Sequence, residues 1–201
     1  IAKEIGHGSV LVHGGNTGYR NDGVAYGFRQ DSNFHYLTEW PEPSAHAIII
    51  VQDNKAALYL FVQGRNEEME TWEGKRLGPE GAKQQFGAEE AFLYEEYESL
   101  APKLLSGIED IYCDYTNAAF EKYDKKLINT AIPYDQRGSR FSKAKLNSLS
   151  PLLSEFRLIK SSEELEHLKR ACDITVEGHN SQQTPRWSRA CSMRSHNKAA
   201  Y

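Results

Sequence analysis

The histidines are the residues best suited to metal or acid–base chemistry, and all seven stand singly in the sequence. They lie at His7, His13, His35, His46, His167, His179 and His196. A zinc or manganese site needs several ligands that converge on one ion, and spacings such as His-x-x-x-His often supply them. No such spacing occurs, so the sequence predicts no metal ligands in this chain and favours surface or core positions for its histidines.

Glycine-rich segments and carboxylates give equally weak signals. Residues 14–18 lack the Lys-Ser/Thr of a phosphate-binding loop and the spacing of a dinucleotide fingerprint, which favours a plain flexible loop. The many glutamates between 67 and 98 are typical of solvated helix faces unless a pocket separates their pKa values. No Gly-x-Ser-x-Gly segment supports a serine hydrolase. The residues alone therefore predict no catalytic group.

Composition is that of an ordinary globular chain. Hydrophobic residues make up 39% and charged residues 26% of the 201 residues, and the net charge is −4. Neither nucleic acid nor an anionic membrane is therefore an expected partner. No apolar run approaches the ~20 residues of a membrane-spanning helix. The three cysteines show no Cys-x-x-Cys spacing, which predicts reduced thiols and a cytoplasmic location.

Short apolar runs alternate with helical patterns along the chain. Strands are predicted at 9–13, 34–38, 47–51, 57–62 and 110–115, the third and fourth forming a hairpin buried on both faces. Helices are predicted at 79–86, 93–105, 117–128, 148–156 and 162–179. In the last helix Leu165, Leu168, Cys172 and Val176 share one face. Together these elements predict an α/β domain with a mixed five- to six-stranded sheet and flanking helices.

Two segments are specific enough to indicate a family. Residues 28–38 read Phe-Arg-Gln-Asp-Ser-Asn-Phe-His-Tyr-Leu-Thr and are followed by Pro41-Glu42-Pro43, and residues 70–78 read Glu-Thr-Trp-Glu-Gly-Lys-Arg-Leu-Gly. Both resemble the amino-terminal domain of aminopeptidase P (Xaa-Pro aminopeptidase), in the creatinase/prolidase-like family. A weaker match at 155–171 resembles the junction with the catalytic domain. The family usually has Gly-Phe where this chain has Glu39-Trp40.

The resemblance implies a two-domain metalloenzyme. Its amino-terminal domain would have the creatinase-like mixed sheet, and a following pita-bread domain would hold two divalent ions, commonly manganese, on Asp, Asp, His, Glu and Glu. A metal-bridging hydroxide would attack the carbonyl of the first residue of a peptide whose second residue is proline. All of these ligands are expected beyond the end of this chain, so we expect the chain alone to be inactive.

Two residues of the matched motifs are candidate site residues. In relatives the tryptophan of the second motif reaches towards a neighbouring subunit's active site, and Trp72 occupies that position. The resemblance implies that Trp72 lies at a substrate-channel rim or an oligomer contact, with packing inside its own loop as the alternative. Arg29 is either a buried structural cation or another rim residue. The implied partners are the catalytic domain, a homo-oligomer and proline-containing peptides.

The chain is expected to have three parts. Residues 1–160 would form the amino-terminal domain, 161–179 the first helix of a truncated catalytic domain, and 180–201 an aberrant or disordered tail without periodicity. Two other hypotheses stay open. The chain is a fragment of a prolidase or creatinase, or it is a stand-alone oligomerisation or binding module without peptidase activity.

Overall fold

A computed structural model describes residues 2–116, 118–131 and 145–182. Six strands form its main sheet: β1 (Gly8–His13), β4 (His46–Gln52), β5 (Lys55–Val62), β6 (Glu90–Leu93), β7 (Asp110–Cys113) and β8 (Lys145–Ser148). Their order across the sheet is β6-β5-β4-β1-β7-β8. The predicted α/β class with a mixed sheet is confirmed. Two of its strands, β6 and β8, lie outside the strands predicted from the sequence.

Five of these six strands run in the same direction. β1 pairs antiparallel with β4, and β4 pairs antiparallel with β5. The pairs β1–β7, β7–β8 and β5–β6 are parallel. Only β4 is reversed among these six, so the carboxyl ends of the other five meet at one edge of the sheet, beside the start of β4. This edge is where α/β sheets most often bind ligands.

The predicted hairpin of β4 and β5 is present. Asp53 and Asn54 connect the strands with φ values of 50° and 60°, the left-handed conformation of a type I′ turn. The expectation that both strands are buried on both faces is wrong for part of β5. Residues 55–59 are exposed or half-buried, whereas Leu60, Phe61 and Val62 are buried.

Helices and turns cover the sheet. The helices of the first part of the chain are α1 (Ala2–Ile5), α2 (Ser32–Thr38), α3 (Glu67–Glu73), α4 (Gly78–Gln85), α5 (Tyr97–Leu104) and α6 (Lys125–Ala131). A 3-10 turn (Tyr94–Glu96) precedes α5, and a π-helical turn (Phe120–Asp124) precedes α6. The core includes Leu11, Ile48, Phe61, Leu105 and Ile111, and each buried side chain of this size stabilises the fold by roughly 1.5–3 kcal/mol. A small hairpin of β2 (Tyr19–Asn21) and β3 (Val24–Ala25) lies outside the main sheet.

The predicted strand at 34–38 is wrong, because this segment forms α2. Oδ1 of Asp31 accepts hydrogen bonds from the backbone N–H groups of Asn33 and Phe34, both at 2.9 Å, and so caps the helix. Phe34 and Thr38 are four residues apart and are buried on one face. The helix ends at Glu39, whose φ is 56°. Residue 117, at which one helix is predicted to begin, lies outside the described residues.

The chain divides into two compact units, residues 1–153 and 154–201. Helix α7 (Leu149–Leu158) is followed by α8 (Ser162–Gln182). Ser161 and Glu164 form a reciprocal cap, in which each side chain accepts a hydrogen bond from the other residue's backbone N–H, and this explains why α8 begins where predicted. Leu165, Leu168 and Val176 are about half exposed. The assignment of α8 to a catalytic domain stays a prediction, and residues 183–201 of the expected tail lie outside the described part.

None of the described helices is both long enough and apolar enough to cross a membrane.

Candidate functional site

The first matched motif is a structural junction built on Gln30. Oε1 of Gln30 accepts hydrogen bonds from the backbone N–H of Gly15 (2.7 Å) and of Asp31 (3.0 Å). Its Nε2 donates to the carbonyl oxygens of Glu42 (2.8 Å) and Trp40 (3.2 Å). One side chain therefore joins the loop after β1, the start of α2 and the Pro-Glu-Pro segment that follows it.

The second matched motif is attached to the first through Glu42. Oε1 of Glu42 accepts a hydrogen bond of 2.8 Å from the backbone N–H of Leu77. Oε2 of the same carboxylate and Oε1 of Gln63 are buried and have no hydrogen-bond partner within the described residues. The segment that carries Trp72 is thus held against the rest of the domain, and two acceptor oxygens nearby stay unpaired.

Helix α3 presents Trp72 to solvent. The preceding Arg65 donates from Nε to Oε1 of Glu70 at 3.0 Å, and this hydrogen bond lowers the pKa of the Glu70 carboxyl. The helix ends at Gly74, whose φ of 86° favours glycine. The Trp72 side chain is 86% exposed, so the alternative that it packs inside its own loop is wrong.

Trp72 borders an open cleft of about 710 Å³, which we call the Trp72 cleft. Tyr19 and Phe28 add two further aromatic rings, while Lys75 and Arg76 add two cations. Exposed aromatic and guanidinium groups of this kind are enriched where proteins contact partners.

Arg29 is exposed, so a buried structural cation is wrong for this residue. It is absent from the lining of the Trp72 cleft. The structure therefore places Trp72, but not Arg29, at this cleft.

A second group of side chains, which sequence reasoning missed, gathers at the carboxyl edge of the sheet. Nε2 of His13 lies 2.7 Å from Oδ1 of Asp124, and Nδ1 of His13 lies 2.7 Å from Nδ1 of His46. The Tyr97 hydroxyl donates to the same Asp124 oxygen at 3.3 Å. Asp124, His46 and Tyr97 are each at most 3% exposed.

Burial determines the charge of His46. Loss of water, together with the electrostatic influence of His13 and Lys122, lowers its pKa from 6.5 to about 2, so it is neutral near pH 7. Burial also raises the pKa of the Tyr94 hydroxyl, which shares a 2.9 Å hydrogen bond with Tyr123. No local pattern indicates this group, because His13 and Asp124 are 111 residues apart.

Similarity to known proteins agrees with this architecture. The family described as aminopeptidase P, N-terminal domain, matches residues 1–112. This chain belongs to that family.

Curated proteins that are similar to this chain carry the names of peptidases. A Xaa-Pro aminopeptidase of Haemophilus influenzae is 33% identical over 160 residues, which cover 80% of this chain and 35% of the relative. The Xaa-Pro aminopeptidase of Escherichia coli is 32% identical, over a segment that covers 77% of this chain and 35% of the relative. The chain therefore spans about a third of the length of these curated relatives.

Solved aminopeptidase P structures share the fold. A variant of Escherichia coli aminopeptidase P superposes with a TM-score of 0.77 at 30% identity, covering 89% of this chain and 41% of the other. Pseudomonas aeruginosa aminopeptidase PepP gives a TM-score of 0.76 at 30% identity, covering 85% of this chain and 39% of the other. Both agree with the mixed sheet expected of an aminopeptidase P N-terminal domain.

The family's usual Gly-Phe at positions 39–40 has a physical explanation in this fold. Glu39 adopts the left-handed conformation that glycine enters most readily. Trp40 is fully buried and its ring meets Phe86 edge-on at 5.0 Å, which is a core role that phenylalanine can also fill. Unlike phenylalanine, however, Trp40 buries an indole nitrogen that has no hydrogen-bond partner within the described residues.

Proposed function

We propose that this chain is the non-catalytic N-terminal domain of a metal-dependent Xaa-Pro aminopeptidase, an enzyme that releases the first residue from peptides with proline second. In the parent enzyme the domain contributes oligomer contacts and the rim of the substrate channel. Family membership and the names of the relatives support the parent activity.

The observation that carries the rim role is the exposure of Trp72 on a firmly attached segment. A tryptophan that is 86% exposed gives little stability to its own domain, whereas burial against a partner makes such residues frequent interface anchors. Glu42 and Gln63 line the same cleft, and each has a buried side-chain oxygen without a hydrogen-bond partner within the described residues.

Metal chemistry belongs to the catalytic domain of the parent in this proposal. Among the described residues, no group of three or more His, Cys, Asp or Glu side chains could hold a metal ion. The two manganese or similar ions implied for the parent enzyme would be held by its catalytic domain.

The test compares the full-length enzyme with its Trp72→Ala variant. We expect the variant to have a lower kcat/KM on a proline-second peptide in the presence of manganese, and weaker self-association in sedimentation. Truncation of an interface tryptophan commonly costs about 2–4 kcal/mol of association free energy.

Tyr115→Ala is the matched control, because Tyr115 is also exposed but does not line the Trp72 cleft. Unchanged association and kinetics in Trp72→Ala would remove the rim role. Absence of peptidase activity in the full-length protein would instead favour the binding-module hypothesis, whatever Trp72 does.

A further inference from the structure

A cleft of about 310 Å³ opens at the carboxyl edge of the main sheet, and we call it the histidine cleft. Its lining includes His13, His46, Asp31, Tyr94, Lys122 and Tyr123. The volume lies at the lower end of the range of roughly 300–1,000 Å³ seen for small-molecule sites.

The cleft lies where the order of the sheet reverses. From β1 the chain passes to β4, β5 and β6 on one side, then returns to β7 and β8 on the other side of β1. Crevices at the carboxyl ends of strands beside such a reversal are the usual ligand sites of open α/β sheets. The π-helical turn after β7 supplies Lys122 and Tyr123, and turns of this rare type recur at functional sites.

His46 provides an unpaired polar atom in this cleft. Its side chain forms one hydrogen bond within the described residues, from Nδ1 to His13, which leaves Nε2 without a partner. The residue is only 3% exposed, so bulk water has little access to it. Nε2 of His13 donates to the Asp124 carboxylate, so Nδ1 of a neutral His13 accepts from Nδ1 of His46, and Nε2 of His46 is then a hydrogen-bond acceptor.

The charges around the cleft are of both signs. The hydrogen bonds that cap α2 use Oδ1 of Asp31, and Oδ2 has no partner within the described residues. The ammonium of Lys122 lies 4.7 Å from the centre of the Tyr123 ring. A purely anionic ligand would meet the Asp31 carboxylate, and a purely cationic one would meet the Lys122 ammonium.

We propose that the histidine cleft binds a small zwitterion of the α-amino acid class. The ligand ammonium pairs with Asp31 and donates a hydrogen bond to Nε2 of His46, and the ligand carboxylate pairs with Lys122. The rings of Tyr94 and Tyr123 contact the side chain of the ligand. This site is independent of the Trp72 cleft and of the parent's peptidase activity.

The experiment is a titration of the 201-residue chain followed by NMR of the histidine ring resonances. The probes are L-alanine, propionate, which lacks the ammonium, and ethylammonium, which lacks the carboxylate. We expect L-alanine to shift the His13 and His46 resonances saturably, and each truncated probe to bind at least about tenfold more weakly, since each loses a charged hydrogen bond.

Three variants locate the site. Lys122→Gln should weaken L-alanine binding about tenfold, whereas Lys125→Gln removes the same charge from the next turn, outside the cleft lining, and should not. Asp31→Asn keeps a good helix cap but loses the charge, so it should weaken L-alanine binding and strengthen propionate binding, because the anion no longer meets a carboxylate. Unchanged thermal unfolding would establish that each variant is folded.

Three results would overturn the proposal. They are the lack of a saturable shift with L-alanine, equal binding of propionate or ethylammonium, and equal weakening by Lys122→Gln and Lys125→Gln.

Discussion

Replacing Gln30 by leucine should destabilise the domain strongly although Gln30 is only half-buried. The substitution keeps a similar size and removes four hydrogen bonds, to Gly15, Asp31, Trp40 and Glu42. A net hydrogen bond contributes about 1 kcal/mol. Because water can reach part of a half-buried site, we expect a loss of about 2–3 kcal/mol in the free energy of unfolding rather than the full sum.

Urea denaturation of the chain, followed by circular dichroism, measures this loss. Gln52→Leu is the control, since Gln52 is exposed at the end of β4. Gln30→Glu sharpens the test, because it keeps the acceptor for Gly15 but sets a carboxylate oxygen against the carbonyls of Trp40 and Glu42. Its stability should improve as the pH falls and the carboxyl is protonated. A change below about 0.5 kcal/mol in Gln30→Leu, typical of surface substitutions, would refute the reasoning.

Three further measurements address single residues. Glu39→Gly should raise the unfolding free energy by up to about 1 kcal/mol in urea, because glycine removes the strain of the left-handed conformation. Between pH 6.5 and 5, the unfolding free energy should fall by about 1.6 kcal/mol more in the unsubstituted chain than in His46→Phe, because the unfolded chain protonates His46 below about 6.5 while the folded one does not. With serine at Cys172 and Cys191, the buried Cys113, whose pKa is raised to about 12, should react with a thiol reagent only on unfolding.

Local sequence predicted the parts of this fold that depend on local interactions. The apolar runs of β4 and β5 and the polar residues between them specify a hairpin without help from the rest of the chain. Ser161 and Glu164 likewise specify the start of α8. The alternation of apolar and polar residues at 34–38 led to the wrong prediction of a strand. Phe34 and Thr38 also fit helical spacing, and the cap at Asp31 favours the helix over the strand.

The histidine cleft could not be predicted in this way. His13 ends one strand, His46 begins another, and Asp124 lies in a turn far along the chain. None of these three side chains has a hydrogen-bonding partner from the group within a few residues of it in the sequence, so no local pattern indicates that they meet. Only the pairing of β1 with β4 and β7 brings them together, and that pairing depends on the whole sheet.

The order of the strands also has a kinetic consequence. The β4–β5 hairpin closes over a two-residue turn, whereas β7 must find β1 across most of the domain, with Ser9 opposite Ile111. Loop closure costs more entropy for distant segments, and sheets rich in distant contacts fold slowly. We expect the hairpin to form early and the docking of β7 to come late, before β8 can pair at its outer edge, so the contact between His13 and Asp124 would report a late step of folding.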